Sequence, residues 1–147
     1  LVKTRNVTTA APVVIEGRTT MTHGRALEVW YDGQCPLCRA SRDWCAARDP
    51  EGRLEFRDVR SATEVELPVS PAAAEASMWV RGADGALTGG FAGWRRILAE
   101  LPGWRWLARV SGVPPLRWLG PPAYRVIARA RRLLPGYGHP APPSAPP

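Results

Sequence analysis

Leu27-Glu28-Val29-Trp30-Tyr31-Asp32-Gly33-Gln34-Cys35-Pro36-Leu37-Cys38 is the stretch on which the fold turns. The run from Leu27 to Tyr31 is apolar and β-prone, and Asp32-Gly33 is a turn dipeptide, so the reading is a buried strand that stops at residue 31. Pro36 suits the first position of a helix, where its fixed φ fits and its missing N–H has no intrahelical partner to lose. The helix runs on to Arg48 and is closed by Asp49-Pro50-Glu51-Gly52. Cys35 then stands at the N-cap and Cys38 in the first turn, a spacing at which two sulfurs can bond. Backbone N–H groups and the positive end of the helix dipole favour the thiolate of Cys35, the nucleophilic form.

Leu54 and Phe56, with Asp58-Val59, alternate with charged residues as a half-exposed strand does. Ser61 to Glu75 reads as loop and short helix, limited by Pro68 and Pro71. Met78-Trp79-Val80 is a short strand, and Ala83-Asp84-Gly85 turns it into a hairpin with Ala86-Leu87-Thr88. Phe91, Trp94, Ile97, Leu98 and Leu101 form a helical stripe, a shorter helix covers Trp104 to Val110, and a last one covers Ala123 to Leu134 after two diproline breaks. Strand, CxxC, helix, strand, connection, strand, hairpin and helix make a single thioredoxin-like α/β domain over residues 24–134, with a helical, Arg-rich C-terminal third. Residues 1–23 read as a disordered leader, with Met21 as the next plausible start, and 135–147 as a disordered, Pro-rich tail.

The chain has 147 residues and three cysteines, too few and too odd a count for a disulfide-stapled secreted scaffold. There is no apolar run long enough for a membrane span, nor a sustained apolar segment near residue 1, so the expectation is a cytoplasmic, reducing setting. Net charge is +7, yet nine arginines against the single acid Glu100 put +8 between Phe91 and Leu134. An electrostatic partner would meet this third of the chain. With Trp94, Trp104, Trp106 and Trp118 the segment could suit anionic lipid or single-stranded nucleic acid. The preferred reading is plainer: tryptophans in the core, arginines on a solvated face, at most weak peripheral contact with anionic surfaces, and no specific nucleic acid.

Read by itself, the Cys35/Cys38 pair has three uses: a redox couple, half of a zinc site, or two inert buried thiols. Structural zinc needs four ligands, and the only other candidates are Cys45, His23 and His139. Cys45 lies seven residues beyond Cys38, about 10 Å along a helix, and reads as a small buried hydrophobe. Asp32 reads equally as a carboxylate serving the thiols and as a turn residue bonding the N–H of Gln34 or Cys35.

Tyr31-Asp32-Gly33-x-Cys35-Pro36-Leu37-Cys38 resembles the motif of the DCC family of thiol–disulfide oxidoreductases, named for D-x-x-C-x-x-C. Met78-Trp79-Val80, Asp84-Gly85, Gly90 and Ala123-Tyr124-Arg125-x-Ile127-Ala128-x-x-Arg131 resemble its downstream landmarks, so the likeness spans residues 27–134. It implies a thioredoxin-like fold with Cys35 and Cys38 as the redox pair, and no particular substrate. The reading adopted is a thiol–disulfide oxidoreductase acting on protein or small-thiol disulfides with an external reductant, with Asp32 as the third site residue. Neither an organic cofactor nor a metal is called for. The alternative is a redox-sensing or docking module that is not an enzyme. Cys35 is expected to be the exposed nucleophile and Cys38 to face inward, with Asp32 relaying the proton that Cys38 loses. Ordinary thioredoxins carry a cis-proline before the strand that faces the CxxC; here Ser77 precedes Met78, so partner docking must differ.

Overall fold

Leu27–Tyr31 forms β1, an inner strand of a four-stranded sheet ordered β2-β1-β3-β4 in the computed structural model, which describes residues 27–139. The leader and residues 140–147 of the tail lie outside the described residues. The inner position accounts for the composition of β1, because a strand covered on both faces is selected for near-continuous apolarity. Leu27 and Val29 enter one layer with Cys45, Leu54, Val80 and Ile97, while Trp30 enters the other with Val59 and Ala74.

The helix α1 (Pro36–Ala46) crosses over to β2 (Leu54–Asp58), which lies parallel to β1 with Tyr31 opposite Asp58. After α2 (Pro71–Ala76), the chain enters β3 (Trp79–Gly82), antiparallel to β1, and turns into β4 (Leu87–Gly89). Gly85 makes that turn at φ +76°, a backbone conformation that favours glycine. α3 (Gly90–Glu100) returns across the same face as α1, through Ile97 in the first core layer. A βαβ unit followed by a ββα unit is the thioredoxin-like arrangement, and the sequence reading of a mixed α/β domain holds. No helix among the described residues is long and apolar enough to cross a membrane.

α4 (Arg105–Val110) and α5 (Leu116–Ala130) pack beside α3 and lead into a single 3-10 turn, Arg131–Leu133. Here the structure departs from expectation. The last helix starts at Leu116 rather than Ala123 and runs straight through Pro121 and Pro122. Each proline gives up one intrahelical bond. Tertiary packing offsets that loss: the ring of Phe91 lies so close to Gly120 that a Cβ there would stand 2.2 Å from Phe91 Cζ. The tryptophans also divide. Trp94 and Trp104 pack on the core, the latter edge-on to Trp44 at 4.7 Å, whereas Trp106 and Trp118 are exposed.

Gly120→Ala should therefore force the Phe91 ring aside and cost about 1–3 kcal/mol, the usual range for overpacking a filled site. Urea denaturation checks this; an unchanged midpoint would mean that Phe91 does not hold α5 on α3.

Candidate active site

Parallel pairing of β1 with β2 brings their carboxyl ends together, so the loop after Tyr31 lies beside the loop after Asp58. Asp58 Oδ1 accepts from Gly33 N–H and from Arg60 N–H, both at 2.9 Å. Gly33 is required at that contact, since a Cβ would stand 1.9 Å from Asp58 Oδ2. Arg60 then reaches back across the gap, with Nε 3.0 Å from Asp32 Oδ1 and Nη2 3.3 Å from Oδ2. Its third nitrogen pairs with Glu75 at 2.9 Å.

Asp32 is buried. Its Oδ1 also accepts from Gln34 N–H at 3.0 Å, which is the Asx-type turn bond the sequence suggests, and its Oδ2 accepts from the Tyr137 hydroxyl at 3.1 Å. Burial works against the charge, but Arg60, the Gln34 N–H and Tyr137 together outweigh it and hold the carboxyl below its ordinary value of 3.8. Among the described residues no hydrogen bond joins Asp32 to either thiol. Tyr137 belongs to a segment that composition assigns to a disordered tail, yet residues 135–139 turn back over the CxxC loop. Gly138 N–H donates to Gln34 O at 3.1 Å, and Arg39 donates to both Gly33 O and His139 O.

Cys35 is the N-cap of α1, and its sulfur accepts the N–H of Cys38 at 3.3 Å, with Pro36 in the first turn as expected. The expected exposure is reversed, however: Cys35 is 0% exposed and Cys38 is half-buried. The C-terminal segment packs beside Cys35. It lies against Gln34, Pro36 and Arg39, which flank Cys35 on either side. Both thiols are free and adjacent.

Arg131, 5% exposed, is the residue that sequence reasoning misplaced. Charge patterning puts it on a solvated arginine face, but its Nη1 donates to Cys38 Sγ at 2.9 Å, while Nε donates to Ala128 O and Nη2 to Glu75 O. Tyr124, seven residues earlier on the same helical face, receives the Met78 N–H on its hydroxyl at 3.1 Å. The backbone before β3, where ordinary thioredoxins place their proline, is thus held by Tyr124 and Arg131. Burial, with the bond to Cys35, pushes the Cys38 thiol up to about 12, and the guanidinium of Arg131 only partly draws it back. Cys38 also lines an apolar cavity of about 410 Å³ whose other walls include Leu37, Phe56, Met78, Trp94 and Ile127.

A family model for the DCC1-like thiol-disulfide oxidoreductases matches residues 29–137. The chain belongs to that family. It is accordingly an enzyme of the thiol-disulfide oxidoreductase class, with thiol or disulfide substrates and a reductant to match. The matched span ends on Tyr137, the residue that closes over Asp32. No curated protein matches the chain, and no solved structure does. Cys45 sits in the core, 1% exposed, with its thiol pushed up to about 11 by burial. Among the described residues no group of three or more Cys, His, Asp or Glu is placed to hold a metal ion.

Two pH windows follow. The carboxyl of Asp32 is depressed in the folded state, so its stabilisation is present above about pH 4, where the unfolded carboxyl is ionised, and is lost as pH falls through the folded value. Asp32→Asn should be less stable at neutral pH by about 1–3 kcal/mol, as expected when a buried polar network loses a partner, and should lose less on acidification than the wild type. For the thiols the sign is opposite. Cys38 and Cys45 are raised from 9.0, so their contribution is complete below pH 9 and falls away towards 12 and 11. The reduced protein should therefore lose stability over that range, and the oxidised protein should be spared the share of Cys38. Denaturation midpoints taken across both windows test the pair; flat profiles would contradict the burial of all three groups.

Proposed function

We propose that the chain reduces substrate disulfides with Cys35 as the entering nucleophile and Cys38 as the resolving thiol. The observation that carries this reading is the hydrogen bond from Cys38 N–H to Cys35 Sγ at the start of α1. That bond aims a backbone donor at the Cys35 sulfur at the helix N-terminus, whereas burial pushes the Cys38 thiol up to about 12. The Cys35 thiolate attacks one sulfur of the substrate disulfide, a Cys35–substrate disulfide forms, and the other substrate sulfur leaves as thiolate. Cys38 then gives its proton to the substrate thiolate released in the first step and attacks Cys35 Sγ. The second substrate thiolate departs, and the Cys35–Cys38 disulfide remains. Two electrons have passed to the substrate, and an external dithiol restores the pair.

Three neighbours support these steps. The charge of Arg131, 2.9 Å from Cys38 Sγ, favours the thiolate that resolution needs. Asp32 we assign as a positioning residue rather than the proton relay: a carboxylate held below its ordinary value and fully engaged with Arg60, Gln34 and Tyr137 is a weak proton acceptor. Its part is to hold the loop of Cys35 and the covering segment in register. Attack by Cys35 requires residues 135–139 to lift, which breaks the bonds of Tyr137 to Asp32 and Arg60, of Gly138 to Gln34 and of His139 to Arg39. The apolar cavity beside Cys38 suits the non-polar flank of a substrate disulfide, whether a peptide side chain or a small aliphatic thiol.

Reductase turnover with a disulfide substrate should be abolished in Cys35→Ser. Cys38→Ser should accumulate a mixed disulfide on Cys35 that mass spectrometry detects, and Cys35→Ser should accumulate none. Cys45→Ala should keep turnover and lose roughly 1 kcal/mol of stability. A mixed disulfide trapped on Cys38 in Cys35→Ser, with turnover retained, would reverse the assignment of roles.

A further inference from the structure

The arginine-rich third of the chain carries a surface that the redox chemistry does not use. Of the thirteen large apolar side chains that are exposed among the described residues, ten fall between Trp106 and Leu134. Along α5 and the turn that follows, Leu119, Val126 and Leu133 recur every seven residues and are 60%, 66% and 86% exposed. Seven residues are close to two helical turns, so the three form one outward ridge about 21 Å long. About a quarter-turn round the helix from this ridge lie Arg125, Arg129 and Arg132, which with Arg117, farther round α5, and Arg95 of α3 line an open groove of about 990 Å³. None of the five is paired with a carboxylate among the described residues. Trp118, 69% exposed, lies on the same helix.

From this juxtaposition we infer that α5 is an interfacial helix that docks the protein on an anionic lipid bilayer. Leu119, Val126 and Leu133 enter the headgroup–acyl boundary, the arginines meet lipid phosphates, and Trp118 sits at headgroup level. Charge complementarity selects this occupant. A second copy of the chain would bring two unpaired arginine stripes together, with Glu100 the only acid between Phe91 and Leu134 to offset them. A nucleic acid would satisfy the arginines and leave the aliphatic ridge in water, since Leu and Val offer bases nothing to stack on. A convex ridge also needs no complementary groove when its partner is fluid. Because no described helix can span a bilayer, the association is peripheral and reversible.

The test is co-sedimentation of the full chain with vesicles of phosphatidylcholine alone or mixed with phosphatidylglycerol, in low and high salt. The protein should pellet with the anionic vesicles, stay in solution with the neutral ones, and release as salt rises. Arg125→Gln and Arg129→Gln should each weaken binding about fivefold, the effect of one cationic side chain near an anionic surface. The double variant Leu119→Ser/Val126→Ser leaves the charge untouched, replaces two exposed residues, and should keep the circular dichroism spectrum and disulfide reductase activity of the wild type. It should nonetheless lose most of its vesicle binding. Failure to pellet with phosphatidylglycerol vesicles would overturn the inference. So would undiminished binding of the serine variant, which would leave a polyanion surface with no apolar insertion.

Discussion

A buried carboxylate sits at the centre of this molecule's working end. Asp32 is buried, and a buried charge persists only where fixed donors replace the solvent it has lost. Those donors come from three separate parts of the chain: Gln34 N–H from its own loop, Arg60 from the loop after β2, and Tyr137 from the C-terminal segment. Satisfying one carboxylate thus joins the CxxC loop to the neighbouring parallel strand and draws the end of the domain over the cysteines. The segment that completes the network also lies along Gln34, Pro36 and Arg39, beside the buried Cys35.

On the other side of the dithiol the compensation has the opposite sign. Arg131 is a buried cation with no carboxylate partner among the described residues, and it is satisfied by two carbonyls and the sulfur of Cys38. Its charge favours an ionised Cys38, the state that the proposed resolution step passes through. Tyr124 and Arg131 together occupy the polar groups of the segment before β3, so a substrate backbone would meet this segment already bonded from within.

Much of this was legible in the sequence. β1 could be read because an inner strand is apolar on both faces, and α1 because its cap, its proline and its breakers all agree. The hairpin after β3 followed from Asp84-Gly85. The full extent of α5 was not legible, since Pro121-Pro122 signals a break and only the fit of Phe91 against Gly120 overrides it. Arg131 is one of nine arginines in a basic stretch, and although it closes the Ala123–Arg131 landmark, charge patterning alone does not separate it from its neighbours. The available signal was its spacing of seven from Tyr124, which puts both on the face that meets residues 75–78. Arg60 and Asp58 could have been found from the parallel pairing of β1 and β2, which sets their loop beside Asp32-Gly33. Tyr137 was hidden by the low complexity around it.

The central claim is that Cys35 is the reactive thiol and that the C-terminal segment covers it. Site-resolved alkylation of the reduced protein near neutral pH measures this directly, with the wild type compared against Tyr137→Phe and against a chain ended after Leu134. The account predicts slow labelling of Cys35 in the wild type and markedly faster labelling of Cys35 in both altered proteins, with Cys38 changing little. Cys38 labelled ahead of Cys35 in all three, with Cys35 indifferent to the loss of the cover, would contradict it.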